Sequence, residues 1–231
     1  KIQTIHAFCE KLLRRFPLEA EVSPSFQVMD DSAAARIAKA AREEVARAAL
    51  RGTGALAEAY ARLSVALDFP AFEGMFKAFE ERRAALAAYA EQCGGLEGVE
   101  ADVWTRCGFE APTTVEEIER QALAKLDEGL WRACAQVLSE RGKKDAERSQ
   151  AMAAVCESAV SGDVDMADVS AVLFTDKGTP ATWPGTTSGL KSREDLLTRL
   201  LGEQDRLEYA RERARAARIA QDTVMALVLA Q

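Results

Sequence analysis

The sequence predicts an all-α protein, on three observations. Alanine, leucine, glutamate and arginine dominate, aromatics make up only 6% of the 231 residues, and runs of β-branched residues are rare, a composition that favours helix. Apolar residues recur at three-and-four spacing over most of the chain. The apolar stretches are bounded by capping residues and by proline or glycine stops. A hydrophobic share of 48% supports a real core and argues against disorder.

Taken in order, the first helix starts at Thr4, whose hydroxyl can cap it, places Ile5, Phe8, Leu12 and Leu13 on one side, and stops at Pro17. His6 lies beside its start, where free backbone N–H groups and the positive end of the dipole favour an anion such as a nucleic-acid phosphate. Arg14 and Arg15 add positive charge at its other end. A second helix is expected over 33–51, capped by Asp31 or Ser32, with Ile37, Ala38, Ala41, Val45 and Ala48 as its apolar face and Gly52 and Gly54 as its stop. A third covers 55–67 and ends at the Asp68-Phe69-Pro70 turn. The next, over 70–92, carries Phe69, Phe72, Phe76 and Phe79 followed by Leu86 and Ala90, the spacing of a buried face.

Residues 93–112 read as a glycine-containing acidic connector anchored by Trp104 and Phe109. Thr113 and Thr114, each followed three residues on by a glutamate, open a further helix with a capping-box signature. Val115, Ile118, Ala122, Leu126, Leu130 and Val137 form its buried side, and it runs to the basic Arg141-Gly142-Lys143-Lys144 junction. A helix over 145–161 follows, then one or two helical turns over 165–170. Around the Asp-Lys-Gly turn, residues 171–183 suggest a short β-hairpin, and 182–189 a flexible loop. The last helix, capped by Ser192 with Asp195 three residues on, continues to the end of the chain and spans on the order of 60 Å. Leu197, Leu200, Leu207, Ala214, Val224 and Val228 mark one of its faces. On a neighbouring face Arg199, Arg206 and Arg213 recur every seven residues, with Arg211, Arg215 and Arg218 beside them. That stripe is either a solvated face with intrahelical ion pairs to Glu203, Asp205, Glu208 and Glu212 or a strut along which DNA is held.

Charge is unevenly spread. The net charge is −7, yet residues 1–51 carry +2, residues 52–140 carry −8 and residues 141–231 carry −1. DNA contact is therefore expected in the first and last thirds. No apolar run approaches the roughly 20 residues of a membrane span and no signal peptide opens the chain, which points to a soluble cytoplasmic protein. Five widely spaced cysteines with one histidine form no zinc pattern and read as free thiols.

The residues Thr4 to Cys9, TIHAFC, and the spaced pattern Phe16, Pro17, Glu19, Ala20, Val22, Pro24, Phe26, Val28, Asp30 and Asp31 resemble the region after the nucleotide-binding loop in the UvrD/RecB helicases of superfamily 1, and within them the AddA type. SAVLFTDKGTP, Ser170 to Pro180, is similar to the segment preceding the acidic motif of the same proteins. The resemblance implies a fragment of an ATP-dependent helicase-nuclease that unwinds and processes DNA ends in double-strand break repair. It implies ATP and Mg2+ as cofactors of the parent enzyme, none in this segment, and an AddB-type partner subunit. Residues 1–31 would form the edge of the ATPase domain, and 32–231 the inserted helical subdomain, whose last helix returns to the ATPase domain.

Thr4 and His6 would touch the single-strand backbone. Arg206, Arg213 and Arg218 are the candidates for duplex contact. No G-x-x-x-x-G-K-[ST] loop or acidic D-E motif occurs, so the segment should have no ATPase activity alone, and its start at Lys1 and stop at Gln231 within a helix suggest an excised piece. With one histidine and no nucleophile–base pairing, a free-standing hydrolase has no plausible constellation. A helical protein-interaction module without DNA binding is the alternative, and it predicts an exposed apolar face on residues 210–228.

Overall fold

A computed structural model describes residues 4–230; Lys1, where the motif stretch opens, and Gln231, the expected end of the last helix, lie outside the described residues. The all-α expectation holds. The chain is 75% helical, with eleven α-helices and no sheet among the described residues. It divides into two compact units, Lys1–Lys77 and Ala78–Gln231, a division distinct from the 31/32 boundary that the motif implies.

In the first unit, α1 (Ile5–Arg15) begins where the Thr4 hydroxyl accepts from the Ala7 N–H at 3.2 Å. α2 (Asp31–Arg51) is capped one residue earlier than expected, by Asp30, whose carboxylate accepts from the Ala33 N–H at 2.7 Å and from the Ser32 hydroxyl at 2.8 Å. Those two donors hold the Asp30 carboxyl below its ordinary range, the Ala33 amide contributing most. α3 (Ala55–Ala66) follows the glycine turn, in which Gly54 has φ +99°, a conformation open to glycine. α4 (Phe69–Gln92) begins in this unit.

The first unit's core is small: Ala49, Ala59, Leu63 and Phe76 are buried. Tyr60, Phe72 and Phe76 extend it as two successive edge-to-face ring contacts at 5.3 Å. Arg42 ties α2 to α4 through Glu73 at 2.6 Å. The phenylalanine stripe thus faces inward at Phe72 and Phe76, whereas Phe69 is 77% exposed and Ile37, read as core, is 58% exposed.

The second unit is organised around α11 (Glu194–Leu229), 36 residues and so about 54 Å long. Leu200 and Leu207 on α11 enter one core with Trp131, Leu138, Met152 and Leu173. Further along, Ala217 and Ala220 meet Val99, Val103, Trp104 and Phe109 in a second core. Small side chains there let neighbouring helices approach α11 closely. Ala210, Ala214, Ala217 and Ala220 are all buried, so the face that an interaction module would have exposed on 210–228 is largely covered by the chain itself.

Five sequence expectations are corrected in this unit. The connector over 93–112 contains a helix, α5 (Leu96–Arg106), entered through Gly94 and Gly95 at φ +77° and +106°. Val99, Val103 and Trp104 bury one side of it, a three-and-four pattern hidden by the glycines and acids around it. The helix expected from Val115 to the 141–144 junction is two, α6 (Val115–Leu123) and α7 (Glu128–Ser139). They break where Asp127 caps α7 by accepting from the Leu130 N–H at 2.9 Å. α8 (Lys143–Ser161) then packs on α7, with the buried Ser149 hydroxyl donating to the Ala135 carbonyl at 2.7 Å.

The β-hairpin is reduced to one antiparallel bridge between Phe174 and Pro180, because Ala171 to Leu173 complete α9 (Met166–Leu173). The buried Gln204 amide of α11 holds this turn, donating to the Leu173 and Ala181 carbonyls at 2.6 and 3.0 Å. The loop over 182–189 begins with a short helix, α10 (Trp183–Thr186), whose Trp183 is buried and donates to the Val172 carbonyl at 3.1 Å. Ser192 does not cap α11. It sits in a 3-10 turn (Gly189–Ser192) with its hydroxyl donating to the Gly189 carbonyl, and Arg193 at the cap position pairs with Asp195.

Candidate nucleic-acid interface

The start of α1 presents its motif to solvent. The first intrahelical bond runs from the Phe8 N–H to the Thr4 carbonyl at 3.0 Å, so the amides of Ile5 and His6 precede the hydrogen-bonded ladder, as at any helix start. His6 and Thr4 are exposed, and so is an apolar row of Ile5 (79%), Phe8 (53%) and Leu12 (48%) beside them. At the far end Arg14 pairs with Glu10 at 2.9 Å and lies 5.2 Å from the Phe26 ring centre, while Arg15 lies 5.7 Å from that of Phe16. Thr4 and His6 thus share one exposed turn.

The arginines of α11 are differently placed. Arg199 bridges to Asp127 at 2.6 Å, which together with the Leu130 amide holds the Asp127 carboxyl below its ordinary range, the amide being the larger cause. Arg206 grips Glu203 with two N–H groups, at 2.7 and 3.0 Å, and donates a third to the Ala122 carbonyl at 2.8 Å. Arg213 stacks 3.7 Å from the Phe109 ring centre and donates to the Gly108 carbonyl at 2.7 Å. Arg211 lies 4.2 Å from the Phe174 ring centre and donates to the Gly178 carbonyl at 3.1 Å. Burial, more than its neighbour Arg215, lowers the Arg211 pKa.

The seven-residue arginine repeat therefore meets, in turn, the N-terminal cap of α7, the last turn of α6 and the glycine that follows the C-terminal cap of α5. Arg206 and Arg213, at the C-terminal ends of α6 and α5, are favourably placed against the macrodipole and the orphan carbonyls. Arg218 is exposed. The basic 141–148 cluster is likewise partly structural: Arg148 pairs with Asp145 at 2.8 Å and lies 4.4 Å from the Trp183 ring centre, and Asp145 accepts from the Gly189 N–H at 2.8 Å. Lys143 and Lys144 are exposed.

Sequence reading did not foresee a cleft of about 370 Å³ between α6 and α11, whose lining includes Lys125, Arg206, Arg213, Gln121, Tyr209 and Phe109. Its two walls are more than 80 residues apart in the chain, and no local pattern joins them. Among the described residues no group of His, Cys, Asp or Glu could hold a metal ion, and no helix is long and apolar enough to cross a membrane. Comparison of the chain with protein-family models, with curated proteins and with solved structures finds no match.

Proposed function

We propose that this chain is a DNA-contacting, non-catalytic helical segment of an ATP-dependent helicase-nuclease of the AddA/RecB type, acting in double-strand break repair. The observation that carries the proposal is the TIHAFC motif, together with the geometry at α1. Thr4 caps the helix, His6 stands exposed in the first turn, and the turn's leading amides and positive dipole end suit a phosphate. ATP and Mg2+ would be held elsewhere in the parent enzyme, with an AddB-type subunit as its partner. On the second unit Arg213 and Arg218 are the arginines from which DNA contact is proposed, and Arg206 acts chiefly by holding α6 to α11.

The test is fluorescence anisotropy of a labelled single-stranded oligonucleotide with the purified chain. Binding should weaken steeply as salt rises, because phosphate contacts release counterions, and His6→Ala should weaken it severalfold. Absence of binding at low salt would remove the proposal, and a His6→Ala chain that binds like the original would remove the α1 contact on which it chiefly rests.

A protein-docking reading is favoured by one specific observation, the exposed apolar row on α1 that Leu18, 78% exposed, extends beyond the helix. In the helicase reading the same row is the side turned to the ATPase domain. Under the docking reading alone, the chain would bind no DNA at any salt concentration.

A further inference from the structure

The cleft between α6 and α11 is built from cations and rings that the fold already holds in place. Trp104 meets Phe109 edge-on at 5.4 Å, Phe109 carries the Arg213 guanidinium at 3.7 Å, and the Gly108 carbonyl fixes that guanidinium by a 2.7 Å hydrogen bond. Arg213 is thus oriented before any ligand arrives, so presenting it costs little side-chain entropy. Lys125, exposed just past the end of α6, supplies an ammonium on the opposite wall. Arg206 also lines the cleft, but Glu203 offsets its charge. None of the lining residues is acidic, so Lys125 and Arg213 leave the cleft net positive within a chain of net charge −7.

Tyr209 completes the arrangement. It lines the same cleft and is 64% exposed, which leaves ring surface uncovered beside two cations. A phosphate between two cations next to an open aromatic face is the recognition chemistry of single-stranded nucleic acid, in which bases stack on rings and the groove tracks the backbone. A volume of about 370 Å³ lies within the usual span of ligand clefts, roughly 300–1,000 Å³. A phosphopeptide would use the cations but leave the ring idle.

We infer that this cleft binds one nucleotide unit of a single strand, its phosphate between Lys125 and Arg213 and its base on Tyr209. The inference rests on the reading of the chain as a DNA-contacting segment, and it gives the second unit a contact independent of His6. Lys125 and Tyr209 are exposed, so changing them should not disturb the fold, whereas changing Arg213 would also remove the Phe109 stack.

The experiment measures anisotropy of labelled oligothymidylate, and of an abasic strand of equal length, with the full chain and with Lys125→Glu, Tyr209→Ala, His6→Ala and the charge-matched control Lys191→Glu. Tyr209→Ala should weaken oligothymidylate binding about tenfold, in the range of one lost base stack, and leave abasic-strand binding nearly unchanged. Lys125→Glu should weaken both strands and lower the salt slope by about 0.7, the share of a single neutralised phosphate. Lys191→Glu should do neither.

Wild-type binding with both cleft variants unaffected overturns the cleft, and if His6→Ala alone weakens that binding the DNA-contact reading survives. Equal loss of both strands in Tyr209→Ala overturns the stacking role. No wild-type binding at low salt overturns the cleft and the reading together.

Discussion

Replacing Arg206 by alanine separates an arginine that holds the fold from one that faces solvent. In the structure its guanidinium grips Glu203 with two N–H groups and donates to the Ala122 carbonyl at the end of α6. The Glu203 side chain is 8% exposed and that of Arg206 29%. Truncation leaves a nearly buried carboxylate without its cation, and breaking such a pair costs roughly 3–5 kcal/mol when both partners are buried. The partial exposure of Arg206 lowers that to about 2–3 kcal/mol.

In a chain of this size about 1 kcal/mol moves the melting temperature by roughly 2–4 °C, so Arg206→Ala should melt roughly 5–10 °C lower. Arg218→Ala, at an exposed position of the same helix, should change stability by no more than about 0.5 kcal/mol. The double variant Glu203→Gln with Arg206→Ala should recover part of the loss, because the orphaned charge is gone. Differential scanning calorimetry of the variants is the assay. If Arg206→Ala melts within about 1 °C of Arg218→Ala, the guanidinium is not holding α6 to α11, and the solvated-stripe reading of the arginines returns.

Two further outcomes follow from the placement of individual groups. Cys9 is exposed, whereas burial raises the Cys156 thiol and pushes the Cys134 thiol up to about 11, so a thiol reagent at mildly alkaline pH should label Cys9 first and Cys134 only on unfolding; equal rates, read by mass spectrometry, would contradict this. The Tyr89 hydroxyl donates to Asp102 at 2.5 Å, and this bond, ahead of burial, raises Tyr89 to about 12. Because the folded value lies above the ordinary one, the contribution of Tyr89 is full below pH of about 10 and is lost as pH climbs towards about 12. The Tyr89 hydroxyl, followed by Arg106, holds the Asp102 carboxyl low, so the acid limb is lost only as pH falls through that lowered value. Tyr89→Phe should therefore remove the highest-pH phase of the tyrosinate absorbance titration, and a titration unchanged by the substitution would contradict the pairing.

Local signals make the first four helices legible. Thr4, the Asp30 to Ser32 region, Gly52 with Gly54, and Pro17 act within a turn of themselves, so the observed bounds fall within two residues of those read from sequence. α5 is hidden because Gly94 and Gly95 resemble a connector when they form a tight entry to a helix. The break between α6 and α7 is hidden because Leu126 and Leu130 continue the apolar period across it, and Asp127 reveals itself as a cap only through the bond it makes to the Leu130 amide.

The arginine repeat shows where sequence reading stops. Its period is plain in the chain, but the carbonyls and carboxylate it meets lie 72 to 105 residues away. The same spacing serves a DNA strut or a set of clamps on helix ends, and the difference between them lies in tertiary packing rather than in any local pattern. Lys125 and Tyr209 become a pair for the same reason, by the packing of α6 on α11.

Cross-linking tests the DNA-contact claim most directly. A single-stranded oligonucleotide carrying a photoreactive base is irradiated with the full chain at low and at high salt, and adducts are mapped by mass spectrometry. Adducts are expected at α1 close to His6 and at the α6–α11 cleft close to Tyr209, both fading as salt rises. Adducts scattered over the surface without regard to these two places, or none at low salt, would contradict it.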